Sequence, residues 1–252
     1  MAANYLKKSR SFTTYRKVAW LLVPTVSIGG LFYPQLGLFM IIIMATMMTV
    51  GLFNGRYFCG NLCPHGSLFD SVLMRFSFFR KIPAFFRSKA LVWFFFAYFM
   101  GMFMFRMNRA FGYWGDPKFL EVLGSVFVRQ NLVWPTIGGV TFAILINPRT
   151  WCTFCPMGTM QKIMYRIGKA LKLNSGTDKT ITICDMDSCK KCEICSRTCP
   201  VQLEPYLNWE DNVFKDANCI KCSTCVVHCP YQLLSLKNTS EKEHYAENYL
   251  NQ

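Results

Sequence analysis

Residues 18 to 53 are apolar except around Gly29, Gly30, Tyr33, Pro34 and Gln35, a pattern that predicts two helices joined by a tight turn. Each half is short for a span: at about 1.5 Å per residue, a bilayer core of about 30 Å needs roughly 20 residues, so a re-entrant hairpin is an alternative. Either choice returns the chain to its starting side. A third apolar segment runs from Ala90 to about Phe105, between Lys89 and Arg106, and a fourth from about Asn131 to Ile146. Between them Phe119, Val122, Leu123 and Val126 keep helical spacing, which predicts a short amphipathic helix on the outer interface. An amphipathic helix is expected over about Met157 to Leu173, followed by a polar link.

The expected organisation is a basic segment (1–17), a membrane part (18–156), a helix and linker (157–179), a compact module (180–236) and a polar tail (237–252). An apolar content of 52% with positive mean hydropathy is too high for a wholly soluble chain. The formal charge of +14 is uneven: residues 1–177 hold twenty Lys and Arg against three acids, and residues 178–252 hold eight against eleven. The basic residues flank apolar segments without a nucleic-acid-binding motif, so topology and anionic headgroups account for them. The balance predicts both termini in the cytosol, on a cytoplasmic membrane crossed several times, and the basic start from Lys7 to Lys17, leading into an apolar stretch without a small-residue cleavage motif, reads as an uncleaved anchor.

Near the C-terminus, Cys189, Cys192, Cys195, Cys199 and Pro200 repeat as Cys219, Cys222, Cys225, Cys229 and Pro230. This C-x-x-C-x-x-C-x-x-x-C-P spacing, doubled, is that of a bacterial two-[4Fe-4S] ferredoxin, in which the fourth cysteine of each run serves the other cluster. One cluster would take Cys189, Cys192, Cys195 and Cys229, and the other Cys219, Cys222, Cys225 and Cys199. Zinc knuckles or disulfides fit four thiols in an eleven-residue run less well.

Four more cysteines lie in a repeat: residues 56–70 read RYFCGNLCPHGSLFD and residues 149–160 read RTWCTFCPMGTM. Each follows an apolar hairpin, which predicts a mainly α, four-helix transmembrane bundle of two parallel repeats joined to a small α+β ferredoxin-like domain. Cys59, Cys63, Cys152 and Cys155 would meet at the repeat interface and suffice for a third [4Fe-4S] cluster. A redox-active dithiol pair and cysteines that only pack at helix ends remain alternatives.

These elements together resemble the NapH/NosR/CcoG group of membrane iron-sulfur proteins, NapH-type subunits being nearest in size. The likeness covers about residues 18–232 and implies electron transfer between a quinone pool, or another cytosolic-side source, and a redox partner at or across the membrane. The second turn departs from the pattern, with two residues between its cysteines where the first has three. The expected function is therefore an electron-transfer subunit of an oxidoreductase complex whose partner carries flavin, haem or iron-sulfur. A redox assembly factor that reduces metal ions or thiols for a membrane oxidase, and a structural anchor for a larger enzyme, are the other readings.

The three histidines, His65, His228 and His244, lie outside the apolar segments, which disfavours a transmembrane b-type haem. His65 reads either as a cluster neighbour or as a solvated turn residue, and Cys184 as a buried free thiol. Arg106 and Arg109 beside Phe111, Tyr113 and Trp114 read as an aromatic belt with snorkelling arginines ahead of a quinone cradle. The methionines read as packing groups rather than copper ligands.

Overall fold

The computed structural model describes residues 5–6, 10, 13–174, 176–207, 209–210 and 212–238. It is mostly helical, with one small antiparallel sheet. Two helices are long and apolar enough to cross a membrane, Pro34–Asn54 and Lys89–Phe111. The two other apolar stretches are helical but interrupted. Residues 14–32 carry a widened π-type turn at Thr25–Gly29, and the chain breaks at Tyr33, whose φ is −124° and ψ 85°. The stretch at 132–138 is π-helical because Pro135 lacks the N–H that a regular helix needs there.

The amphipathic segment is not a separate surface helix. Phe119–Asn131 runs directly into the 132–138 turn and the Gly139–Leu145 helix, and it packs on the first hairpin's turn. Two glycines permit that approach: a Cβ on Gly37 would stand 2.1 Å from the Gly124 carbonyl oxygen, and one on Gly124 2.1 Å from that of Pro34. Gly124→Ala is accordingly expected to destabilise. Alanine gains about 1 kcal/mol of helix propensity, but displacing packed backbone costs about 1–3 kcal/mol. A lowered thermal midpoint in detergent is the expected result.

The two repeats pack reciprocally. Phe39–Asn54, which leads into the first cysteine turn, lies on Pro156–Ala170, which leaves the second, with Gly168 against the Leu52 carbonyl. Gly139, ahead of the second turn, meets Phe69 on the Pro64–Ser71 helix that leaves the first. Each post-cysteine helix starts with proline at its first position, where a missing N–H costs nothing.

Residues 179–238 form the ferredoxin-like module: β1 (Lys179–Ile183), β2 (Trp209–Glu210), β3 (Val213–Phe214) and β4 (Leu234–Asn238) in the order β2-β3-β1-β4. The alternation of β1 buries Ile181 and Ile183 and leaves Thr182 to pair with Ser235 across the β1–β4 ladder. The polar tail expected beyond 236 is described only through Asn238. The module is seated on the helical part, because Gln202 exchanges hydrogen bonds with Ile82 N–H and the Arg80 carbonyl while Arg87 donates to the Val201 and Gln202 carbonyls.

Candidate metal centres

Twelve of the thirteen cysteines lie around three cavities, four to each. Cys189, Cys192, Cys195 and Cys229 line one; Cys199, Cys219, Cys222 and Cys225 line another; Cys59, Cys63, Cys152 and Cys155 line the third, a space of about 100 Å³. Cys184 lines none of them and is half-buried rather than buried. Among the described residues no three Cys, His, Asp or Glu side chains close on a point that would hold a single metal ion.

In the ferredoxin-like module the cradle is made by backbone. Lys191, Glu193 and Gln202 have φ of 50°, 60° and 53°, and Lys221, Ser223 and Gln232 have φ of 51°, 60° and 53°, at matching offsets in the two runs. Non-glycine residues adopt this left-handed region at a cost, so its repetition marks loops held for a purpose. It turns N–H groups toward sulfur: Leu203 N–H donates to Cys199 Sγ at 3.3 Å and Lys221 N–H to Cys219 Sγ at 3.5 Å. Burial pushes the Cys199 thiol up to about 11 and Cys219 up to about 12. A cation must therefore displace the protons for thiolate to form there.

At the two Cys-Pro turns the repeats cross. Arg56 Nη2 donates to the Cys152 carbonyl at 2.5 Å, and Arg149 Nη1 to the Cys59 carbonyl at 3.0 Å. The glycine of each Cys-Pro-x-Gly turn makes room for the other repeat's guanidinium: a Cβ on Gly66 would lie 2.7 Å from Arg149 Nη1, and one on Gly158 2.9 Å from Arg56 Nη2. Arg, Cys, Pro and Gly thus belong to one crossed unit. Sulfur receives donors here too, from Gln161 Nε2 to Cys59 at 3.2 Å and from Arg149 Nη1 to Cys152 at 3.5 Å. Burial, with the Cys59 and Cys152 thiols adding, pushes Cys155 up to about 12.

The unequal turns have a structural reason. The extra residue of the first turn presents Gly60 and Asn61 to the ferredoxin-like module: a Cβ on Gly60 would meet the Ile220 carbonyl oxygen at 2.0 Å, and Asn61 Nδ2 donates to the Lys221 carbonyl. The shorter second turn docks elsewhere, with Phe154 stacked on Phe86 at 5.3 Å. Cys59, Cys152 and Cys222 consequently share one buried core, while Cys189, Cys195 and Cys229 edge a second one.

On the Pro64–Ser71 helix, Asp70 is fully buried. Arg149 grips it through Nε and Nη2 at 3.1 and 2.6 Å, Arg16 Nη2 reaches it at 2.8 Å, and Arg10 Nη1 stands 3.8 Å away. Burial raises the carboxyl pKa, but the Arg149 charge and hydrogen bonds, with Arg10 and Arg16, outweigh it and hold the group below its ordinary value. Three guanidiniums surround this one buried carboxylate, and Arg10, 1% exposed, has Nε without a hydrogen-bond partner. A buried guanidinium in that state is costly unless anions adjoin it. Thiolate-ligated clusters in the adjoining cavities would be those anions, and the donor sets fit them.

Local pattern did not disclose this network, nor the fate of the basic N-terminal segment: Arg10 and Arg16 are core residues, not headgroup contacts. His65 is not a solvated turn residue. Its Nε2 hydrogen-bonds the Thr136 hydroxyl at 3.1 Å, and burial pushes its pKa down to about 4, leaving it neutral. Arg106 donates to Gln130 Oε1 at 2.8 Å, which ties the long helix to Phe119–Asn131.

A family model described as a 4Fe-4S binding domain matches residues 36–83 and 132–174. The matched segments hold the two Cys-Pro turns, Cys59 with Cys63 and Cys152 with Cys155, and not the ferredoxin-like module. No curated protein and no solved structure matches the chain. What the chain carries is a 4Fe-4S binding domain in two segments, each a helix, a Cys-Pro turn and a second helix, and with it the chemistry of iron-sulfur electron transfer.

Proposed function

We propose that this protein is a membrane-anchored electron relay with three [4Fe-4S] centres in sequence. The observation that carries the reading is the sorting of twelve cysteines into three four-thiol cavities whose neighbours touch. Cys189, Cys192, Cys195 and Cys229 hold the outer centre, Cys199, Cys219, Cys222 and Cys225 the inner one, and Cys59, Cys63, Cys152 and Cys155 the membrane one. A bound cube supplies reversible one-electron storage.

The chain's own residues set access and order. Cys192 is exposed, so the outer set faces a soluble partner, while Leu22, Val23, Val26, Met40 and Met47 line the membrane cavity and suit a lipid-soluble carrier such as a quinone, or a membrane subunit. Gly60 against Ile220 keeps the inner and membrane sets adjacent. Buried Arg10 acts on Cys199 and Cys222 and buried Arg149 on Cys152, which favours the electron there over the outer set, whose Lys190 and Lys191 are exposed and screened. The four apolar helical stretches form the anchor, with the ferredoxin-like module on the cytosolic side.

Iron analysis of anaerobically purified protein tests the reading. About twelve iron atoms per chain are expected, falling to about eight in Cys152→Ser/Cys155→Ser with the ferredoxin-type EPR signals retained. About eight in the unaltered protein would reduce the membrane cysteines to a dithiol or packing role.

A further inference from the structure

Outside the cysteine cavities, a cleft of about 410 Å³ opens where the start of Lys89–Phe111, the Pro156–Ala170 helix and the ferredoxin-like module meet. Five cations line it, Arg56, Arg87, Lys89, Lys162 and Arg166, against one acid, Asp216. Some are engaged: Arg87 holds the Val201 and Gln202 carbonyls, and Lys162 Nζ donates to Asn218 Oδ1 at 2.6 Å. Arg56 is 3% exposed and spends its terminal nitrogens on the Cys152 and Asn218 carbonyls, but its buried Nε has no hydrogen-bond partner. Buried as it is, Arg56 gives the cleft wall positive charge rather than an open donor. Burial, with repulsion from Arg56, pushes the Lys162 ammonium down to about 8, a sign that the cleft is short of negative charge.

Shape adds a second constraint. Val92, Trp93 and Ile163 form an apolar wall, and Trp93, 49% exposed, sits one turn inside a helix long enough to cross a membrane. The basic end therefore lies at headgroup depth and the apolar wall runs toward acyl chains. We infer that this cleft binds a phosphate anion, carried by an anionic phospholipid headgroup or free in solution. The ligand would bridge the helical part and the ferredoxin-like module at their seam. The inference does not depend on the clusters being present.

The test uses the full-length protein, delipidated in detergent, with thermal unfolding followed on adding phosphatidylglycerol, phosphatidylcholine or inorganic phosphate. Phosphatidylglycerol is expected to raise the midpoint and phosphatidylcholine to leave it. Lys89→Gln/Arg166→Gln, both exposed positions, is expected to weaken phosphatidylglycerol binding roughly thirtyfold, from the worth of two basic residues at an anionic surface. Lys17→Gln/Lys81→Gln, which removes equal charge elsewhere, should bind as the unaltered protein does. Inorganic phosphate that stabilises the protein and displaces the lipid would assign the cleft to a free anion; phosphate without effect would assign it to the lipid. Equal stabilisation by phosphatidylcholine, no response to any anion, or full affinity in the Lys89→Gln/Arg166→Gln protein would overturn the site.

Discussion

Asp70→Ala is expected to cost about 3–5 kcal/mol of stability, the usual range when one partner of a buried ion pair is removed. Arg149, Arg16 and Arg10 would then lose the carboxylate they share. Detergent-solubilised protein should show a large fall in thermal midpoint and a low yield of folded chain. The pH dependence has a definite sign. The folded pKa of Asp70 lies below its ordinary 3.8, so its contribution is fully present above that value and disappears as pH falls through the folded pKa. Acid sensitivity below about pH 4 should be smaller in Asp70→Asn than in the unaltered protein. An Asp70→Ala protein as stable as its parent would mean that the arginines are neutralised by something else in the core.

Arg10→Gln is expected to lower the midpoint potential of the inner ferredoxin-type centre while leaving the Cys189 centre unmoved. Arg10 is buried and electrostatically coupled to Cys222 and Cys199 as well as to Asp70. A unit charge roughly 8 Å away at an effective dielectric of about 20 is worth about 2 kcal/mol, or on the order of 90 mV for one electron. Arg10→Lys keeps the charge and should keep most of the potential. EPR-monitored redox titration reads each centre separately. Equal shifts at both centres, or none at the inner centre with iron content intact, would remove Arg10 from the electrostatics of the relay.

Much of the site was legible because cysteine spacing is a local property. The doubled eight-cysteine run and the two Cys-Pro turns divide twelve thiols into three fours, and the same fours line the three cavities. The apolar runs located the helices, but not that Phe119–Asn131 continues through Pro135 rather than ending at the interface. Long-range pairing was hidden. Arg149 meets the Cys59 carbonyl across 90 positions and Arg16 meets Asp70 across 54, distances over which periodicity carries no information. One signal was available: an arginine three residues before the first cysteine, with a glycine three after the last, occurs in both turns. That coincidence follows from the crossed packing and not from the shape of either turn alone.

The crossing of Arg56 and Arg149 also bears on biogenesis. Neither half of the chain can finish its cysteine turn by itself, since Gly66 and the Cys59 carbonyl receive their guanidinium from residue 149, which leaves the ribosome much later. Until then Asp70 also lacks its two-point partner and has only Arg10 and Arg16 beside it. Closure of the four-thiol cavity is thereby placed after synthesis of the second repeat, and a chain truncated before it would leave that interface unsealed.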